Sequence, residues 1–289
     1  MTGIRLIASD IDGTILHPDG RITARTVAAF QAARAAGLEV VFVTGRPFRW
    51  LTPIQEAFGR LGTVICSNGA LVYDLEAERI IESRTLDAAT VGEVRRRILQ
   101  IESGARFAAE TPLGLYLEPG FVEPEESHLL EGIEPDELPM ERLEAEGTVK
   151  LLAKVGTTTS EAFRKAVYPE VSDLVAVTHS APGVALLEMS CPDVNKAIAL
   201  ERYAEELGLR REEVAAFGDM PNDLEMLSWA GLGCAMGSGH KLAKKAAAAV
   251  TGTLEDDGVA QMIERILDGA VPAAGLDDDG GLGRKAQTP

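Results

Sequence analysis

Three short apolar runs, each closing on a polar or glycine-containing turn and each separated from the next by a helix-patterned stretch, constrain what the first 70 residues can become. They are Ile4 to Ser9, Glu39 to Val43 and Thr63 to Cys66. Between the first two, Thr23 suits a helix N-cap, and the pattern runs through Val27, Phe30 and Arg34 to a stop at Gly37. A second helical stretch follows the second run. Strand, helix, strand, helix, strand at this spacing predicts a parallel sheet with right-handed crossovers.

From about Ile80 to Leu187 the pattern changes. Asp87 to Glu102 reads as an amphipathic helix with a basic face at Arg95, Arg96 and Arg97, and strands are expected at Ala105 to Ala109 and Leu113 to Leu117. A Pro- and Glu-rich connection spans Glu118 to Glu146, and strand, helix, strand and strand fill Thr148 to Met189. Neighbouring strands without helices between them indicate antiparallel pairing, hence an α+β insert. After Cys191 the alternation of strand and helix resumes, with a last helix over Val259 to Leu267. The expected fold is α/β, a Rossmann-like parallel-sheet core with an inserted α+β cap. Residues 1–82 and 188–270 form the discontinuous core, 83–187 the cap, and the Gly-, Ala- and Asp-rich residues 271–289 a disordered tail.

The formal charge of −17 over 289 residues argues against nucleic acid or an anionic membrane surface as partner, because phosphate backbones are bound by net basic patches. Small phosphorylated metabolites need only a local cationic pocket. No run is long and apolar enough for a membrane span, and the chain starts directly on a strand-like segment rather than a signal peptide, so a cytoplasmic location is expected. Cys66, Cys191 and Cys234 are far apart and each lies in apolar sequence, which predicts reduced, buried thiols.

The ends of the parallel strands carry the chemistry. Asp10 and Asp12 follow the first strand, with Gly13 permitting a tight turn; Thr44, Gly45 and Arg46 follow the second; Asn68 follows the third. Lys196 and the segment Asp219-Met220-Pro221-Asn222-Asp223 come after the insert. Ligands of open α/β sheets bind at that edge. Each element alone also suits a turn, a helix cap or a solvated charge. Two carboxylates two residues apart repel unless a cation or a proton separates them, which calls for a divalent metal.

Together these residues resemble the haloacid dehalogenase-like superfamily of hydrolases, and within it the Cof-like members with a large α+β cap of type IIB. The markers are Asp-Ile-Asp-Gly-Thr at 10–14, Val-Thr-Gly-Arg at 43–46, Ser-Asn-Gly-Ala at 67–70, Lys196, Gly-Asp-Met-Pro-Asn-Asp at 218–223, and the later Ala-Met-Gly and Glu-Asp-Asp-Gly-Val-Ala segments. The resemblance implies an Mg²⁺-dependent phosphatase acting through an aspartyl-phosphate. Asp10 would be the nucleophile and Asp12 the general acid and base. Thr44 and Lys196 would stabilise the phosphoryl group, with Gly45, Arg46, Asn68 and Asn222 as further substrate contacts. The Asp10 carboxylate, the Asp12 carbonyl and Asp219 would hold Mg²⁺, with Asn222 and Asp223 around it or orienting Lys196. Asn195 and Ala197 beside the lysine, and Met236-Gly237-Ser238-Gly239, depart from the family's usual residues without removing a charge.

The expected substrate is a small phosphorylated metabolite: a sugar phosphate, sugar-acid phosphate or flavin-type phosphomonoester. A phosphomutase would use the same two aspartates and is distinguished by isomer interconversion without phosphate release. A phosphometabolite-binding protein on a degenerate fold would show binding without turnover. In the insert, period two puts Lys150, Leu152 and Lys154 on one strand face and Leu151, Ala153 and Val155 on the other. The lysine face suits either a substrate contact or a solvated sheet. The insert's 18 acidic and 10 basic residues between 84 and 186 disfavour a polyanionic leaving group.

Overall fold

The computed structural model describes residues 3–122, 133–156, 158–178 and 184–270. In chain order its elements begin with β1 (Leu6–Ser9), α1 (Ala24–Ala35), β2 (Glu39–Val43), α2 (Thr52–Phe58), β3 (Thr63–Cys66), β4 (Leu71–Asp74) and β5 (Arg79–Ser83). Next come α3 (Ala88–Ile101), β6 (Arg106–Glu110), β7 (Leu115–Leu117), α4 (Met140–Glu146), β8 (Lys150–Val155), α5 (Ser160–Val171), β9 (Ala176–Thr178) and β10 (Ala185–Ser190). The chain closes with α6 (Lys196–Glu206), β11 (Val214–Gly218), α7 (Leu224–Trp229), β12 (Leu232–Ala235), α8 (Lys241–Ala246), β13 (Ala249–Val250) and α9 (Gly258–Leu267).

The chain divides into two compact units, one formed by residues up to Gly69, Tyr73–Arg79 and the chain from Asn195 on, the other by Ala70–Val72 and Ile80–Val194. In the first, β1 lies between β2 and β11 with parallel pairing on both sides, and β3, β12 and β13 extend the same parallel sheet. The full strand order is β13-β12-β11-β1-β2-β3-β4-β5. All four residues of β1 are buried, the signature of a central parallel strand covered on both faces. Helix α1 packs against α9, and α6 against α7. Thr23 caps α1, its side chain accepting the backbone N–H of Thr26, as the sequence predicts.

The second unit is a five-stranded sheet of order β7-β6-β8-β10-β9 with antiparallel pairs throughout. Leu151, Ala153 and Val155 of β8 enter its core with Val91, Val94 and Ile98 of α3 and Phe163, Val167 and Val171 of α5. The apolar alternate of β8 thus packs on the helices as period two requires. Asp87 caps α3 by accepting the N–H of Thr90. The arginines of α3 form ion pairs: Arg96 and Arg97 with Glu93, Arg97 with Asp173, and Arg95 with Glu118.

Several expectations need correction. The sequence reading assigns no strand to 71–83, yet β4 and β5 complete one edge of the large sheet. The connection 118–146 contains α4 at its end, behind Pro139. The expected return to the core at 188 falls inside β10, whose ladder with β8 runs through Met189. Cys66 and Cys234 are buried, but Cys191, just past β10, is half-buried. The tail 271–289 and residues 123–132 of the acidic connection lie outside the described residues.

Candidate active site

The turn after β1 wraps the Ile11 carbonyl, which accepts N–H groups from Thr14, Ile15 and Leu16. Gly13 is required here twice over. Its φ is +77°, and a Cβ on it would stand 2.5 Å from Asp219 Oδ2. The turn leaves Asp10 5% exposed at the carboxyl end of β1, its backbone N–H donating to Phe217 O of β11 at 2.9 Å. That placement is the switch point of the sheet, where β1 has β2 on one side and β11 on the other.

Lys196 reaches Asp10 from the first position of α6. Asn195 caps that helix by accepting the N–H of Ile198 at 2.8 Å, which accounts for asparagine at this position. The Lys196 ammonium, 1% exposed, donates to Asp10 Oδ1 at 2.6 Å and Asp223 Oδ1 at 2.7 Å. Asp223 is fully buried, and its other oxygen accepts the N–H groups of Asp219 and Met220 at 3.0 and 2.9 Å. Asp223 therefore holds the lysine and shapes the loop that carries Asp219. The Gly237-Ser238-Gly239 segment supports that loop from behind: His240 N–H donates to Asp219 O at 2.7 Å, and a Cβ on Gly239 would meet the same carbonyl at 2.9 Å.

Ligand atoms of Asp10, Asp219 and Asp223 lie within 4.8 Å of one another. Burial, reinforced by the Asp223 and Asp219 carboxylates and opposed by Lys196, pushes Asp10 up to about 8. Burial and then Asp223 push Asp219 up to about 6. Burial works against the charge on Lys196, but the Asp10 and Asp223 carboxylates outweigh it and raise its pKa. Three carboxylates around one ammonium form an all-oxygen donor set with charge to spare, which fits a hard divalent cation. Thr14, absent from the sequence-derived site, donates toward Asp10 Oδ2 at 3.2 Å and lies 3.4 Å from Asp219 Oδ1. Its signal was the final residue of the Asp-Ile-Asp-Gly-Thr segment.

Thr44, fully buried at the end of β2, accepts the Arg46 N–H on Oγ1 at 3.0 Å, which leaves its own hydroxyl proton available to a ligand. The Asp12 carboxylate is turned away from the acidic cluster and held by Arg46, Nε to Oδ2 at 2.8 Å and Nη2 to Oδ1 at 2.5 Å. This bidentate pair draws the guanidinium pKa upward. The Asn222 amide donates to Asn68 Oδ1 at 3.3 Å. Asn68 adopts φ +56° between Ser67 and Gly69, and its side chain lies over Gly45, where a Cβ would meet it at 3.2 Å. Lys150 and Lys154 belong to the second unit. Lys150 is buried and paired with Glu188 at 2.8 Å.

The model of the haloacid dehalogenase-like hydrolases matches residues 7–263. The chain belongs to that family. The 5-amino-6-(5-phospho-D-ribitylamino)uracil phosphatase YitU of Bacillus subtilis is 27% identical over 268 residues, covering 90% of this chain and 96% of the relative. The HMP-PP phosphatase of Serratia proteamaculans is 30% identical over 249 residues, covering 81% and 84%. A haloacid dehalogenase-like hydrolase from Bacteroides thetaiotaomicron superposes with a TM-score of 0.75 at 26% identity, over 91% of this chain and 99% of that one. The protein is a phosphatase of this family. No helix among the described residues is long and apolar enough to cross a membrane.

Proposed function

We propose that the protein is a cytoplasmic, Mg²⁺-dependent phosphomonoester hydrolase working through an aspartyl-phosphate on Asp10, with a phosphorylated sugar or ribityl compound as substrate. The observation that carries the reading is the Asp10 carboxylate, buried at the sheet's switch point, gripped by Lys196 and clustered with Asp219 and Asp223.

Asp10 attacks phosphorus while the bond to the leaving oxygen breaks, and Asp12 delivers a proton to that oxygen. Water then attacks the phosphoryl group, Asp12 takes the water's proton, and the bond to Asp10 breaks, which releases phosphate and restores both aspartates. For the first step Asp12 must leave its bidentate hold on Arg46 and take up a proton from solvent, which arms it as the acid and frees the guanidinium for the phosphate or the leaving group. Lys196 offsets negative charge between Asp10 and the incoming dianion, and the Thr44 hydroxyl donates to a phosphoryl oxygen. Asp10, the Asp12 carbonyl and Asp219 would hold Mg²⁺, with Asp223 steadying the Asp219 loop; the ion supplies positive charge against the phosphoryl oxygens. A role for the second unit as a cap that selects the leaving group, with Lys150 and Lys154 as candidate contacts, belongs to the same reading. The ribityl phosphate named for the Bacillus subtilis relative is the first ester to test.

The test is phosphate release across a panel of phosphometabolites, with Mg²⁺ and with EDTA, for the wild type and Asp10→Asn. Release is expected only with metal and only in the wild type, with Asp10→Asn reduced by at least about 10³ while remaining folded. Turnover by Asp10→Asn would overturn the covalent route, and turnover in EDTA would overturn the metal.

A further inference from the structure

Arg46 stands beside Asp12 with a fork of N–H donors already fitted to a carboxylate. Its Nε donates to Asp12 Oδ2 at 2.8 Å and its Nη2 to Asp12 Oδ1 at 2.5 Å, and solvent reaches both side chains, Arg46 being 28% and Asp12 52% exposed. A third donor, Nη1, reaches the Trp50 carbonyl at 3.4 Å and ties the guanidinium to its own loop. Asp12 and Arg46 also line one cavity of about 360 Å³, walled by Leu16, Pro18 and Pro53. That volume is at the lower end of small-molecule sites.

The reaction proposed above breaks this pair. When Asp12 turns to the leaving oxygen, Nε and Nη2 of Arg46 lose their acceptor, while the bond to Trp50 still holds the guanidinium in place. A guanidinium stays charged at every working pH, so the cavity wall then carries an uncompensated cation. Lys196 and Thr44 already serve the phosphoryl oxygens. Arg46 instead contacts the carboxylate that protonates the leaving oxygen, which puts its fork on the leaving-group side. What the fork accepts is shown by what it holds, the two oxygens of one carboxylate. A hydroxyl satisfies one donor and leaves the charge unpaired, whereas a second carboxylate satisfies both donors and the charge.

We propose that Arg46 exchanges Asp12 for a carboxylate of the leaving group, which makes Arg46 a specificity-determining residue and the substrate class the phosphomonoesters of short hydroxy acids, phosphorylated sugar acids among them. The cavity seats the carbon chain, and docking of the substrate carboxylate releases Asp12 for its work on the proton. The proposal rests on the phosphomonoesterase reading, which places the leaving oxygen at Asp12.

The experiment measures Kd by calorimetry for the full-length Asp10→Asn protein with Mg²⁺, in which an ester stays intact. The ligands are 3-phospho-D-glycerate, sn-glycerol 3-phosphate and inorganic phosphate; the two esters differ at the far carbon, carboxylate against hydroxymethyl. The glycerate ester is expected to bind about tenfold more tightly than the glycerol ester. Adding Arg46→Ala is expected to abolish that preference while the Kd for phosphate stays within about twofold. Arg46→Lys, which keeps the charge without the fork, is expected to restore part of it. No preference with Arg46 present, or a preference that survives Arg46→Ala, overturns the proposal. So does an equal loss of affinity for all three ligands in a variant whose thermal unfolding is unchanged, because the guanidinium would then serve the phosphoryl group. If Arg46→Ala does not fold, Arg46→Lys is read in the same way. In the Asp10-containing protein the kcat/KM ratio of the two esters is expected to fall about tenfold in Arg46→Ala. Absence of phosphate release from every ester would instead overturn the phosphatase reaction itself, and the Kd values would still report on Arg46.

Discussion

Lys196 shows how much one side chain does at this site. It is fully enclosed and makes two charge-assisted hydrogen bonds, to Asp10 and to Asp223, each of which is buried with it. Removing the ammonium leaves two buried carboxylates facing each other, so Lys196→Met is expected to destabilise the metal-free fold by about 3 kcal/mol in urea unfolding. Phosphate release should fall by about 10² to 10³ in the same variant. Unchanged unfolding would show that the carboxylates are compensated elsewhere. Asp10, Thr44, Lys196 and Asp219 were legible in the sequence because each sits at a strand or helix terminus whose position the apolar runs mark. The Asp12–Arg46 pair was not, since 34 residues separate its partners and only the pairing of β1 with β2 brings their ends together. The Thr14 contact with Asp219, across 205 residues, arises in the same way from the pairing of β1 with β11.

At the scale of elements, caps and faces behaved as local rules require, while short pieces did not announce themselves. Helix α3 was readable from its Asp87 cap and its Val91, Val94 and Ile98 stripe. Two of its three consecutive arginines are absorbed by Glu93, whose carboxylate accepts from Arg96 first and Arg97 next and is held down to about 2. Because the folded value lies below the ordinary one, this pairing stabilises the helix above pH ~4.5 and is lost as pH falls through about 2. A carboxyl ¹³C titration is expected to place the Glu93 midpoint near 2, moving toward the ordinary value in Arg96→Ala. A midpoint near 4.5 in the wild type would show that the pairs do not persist in solution. Glu93 is half-buried and solvent still reaches its carboxylate, so the effect on overall stability is small. Helix α4 was hidden because it is short, acidic and preceded by Pro139 rather than a side-chain cap. Strand β5 shows weak alternation, partly buried against exposed, at the edge of the sheet, where burial does not enforce a strong pattern.

For the whole molecule, metal and fold are linked. The acidic cluster draws on the end of β1 and the loop after β11, so a cation bound there ties together segments distant in the chain and stabilises the native state by mass action. Adding Mg²⁺ is expected to raise Tm in the wild type, by an amount equivalent to about 2.7 kcal/mol when the ion stands at a hundred times its Kd. The shift should be much smaller in Asp219→Ala. Equal shifts in both proteins would place the ion elsewhere. The sequence by itself determined the alternating core, the insert's antiparallel character and the residues at strand ends, because apolar periodicity and turn chemistry are local properties of the chain. Only the tertiary structure decided that Asp223 grips Lys196, that Arg46 holds Asp12 and that Arg46 and Asp12 line one cavity. Those relations depend on the order of strands in the sheet, and strand order is fixed by packing between segments that no local pattern connects.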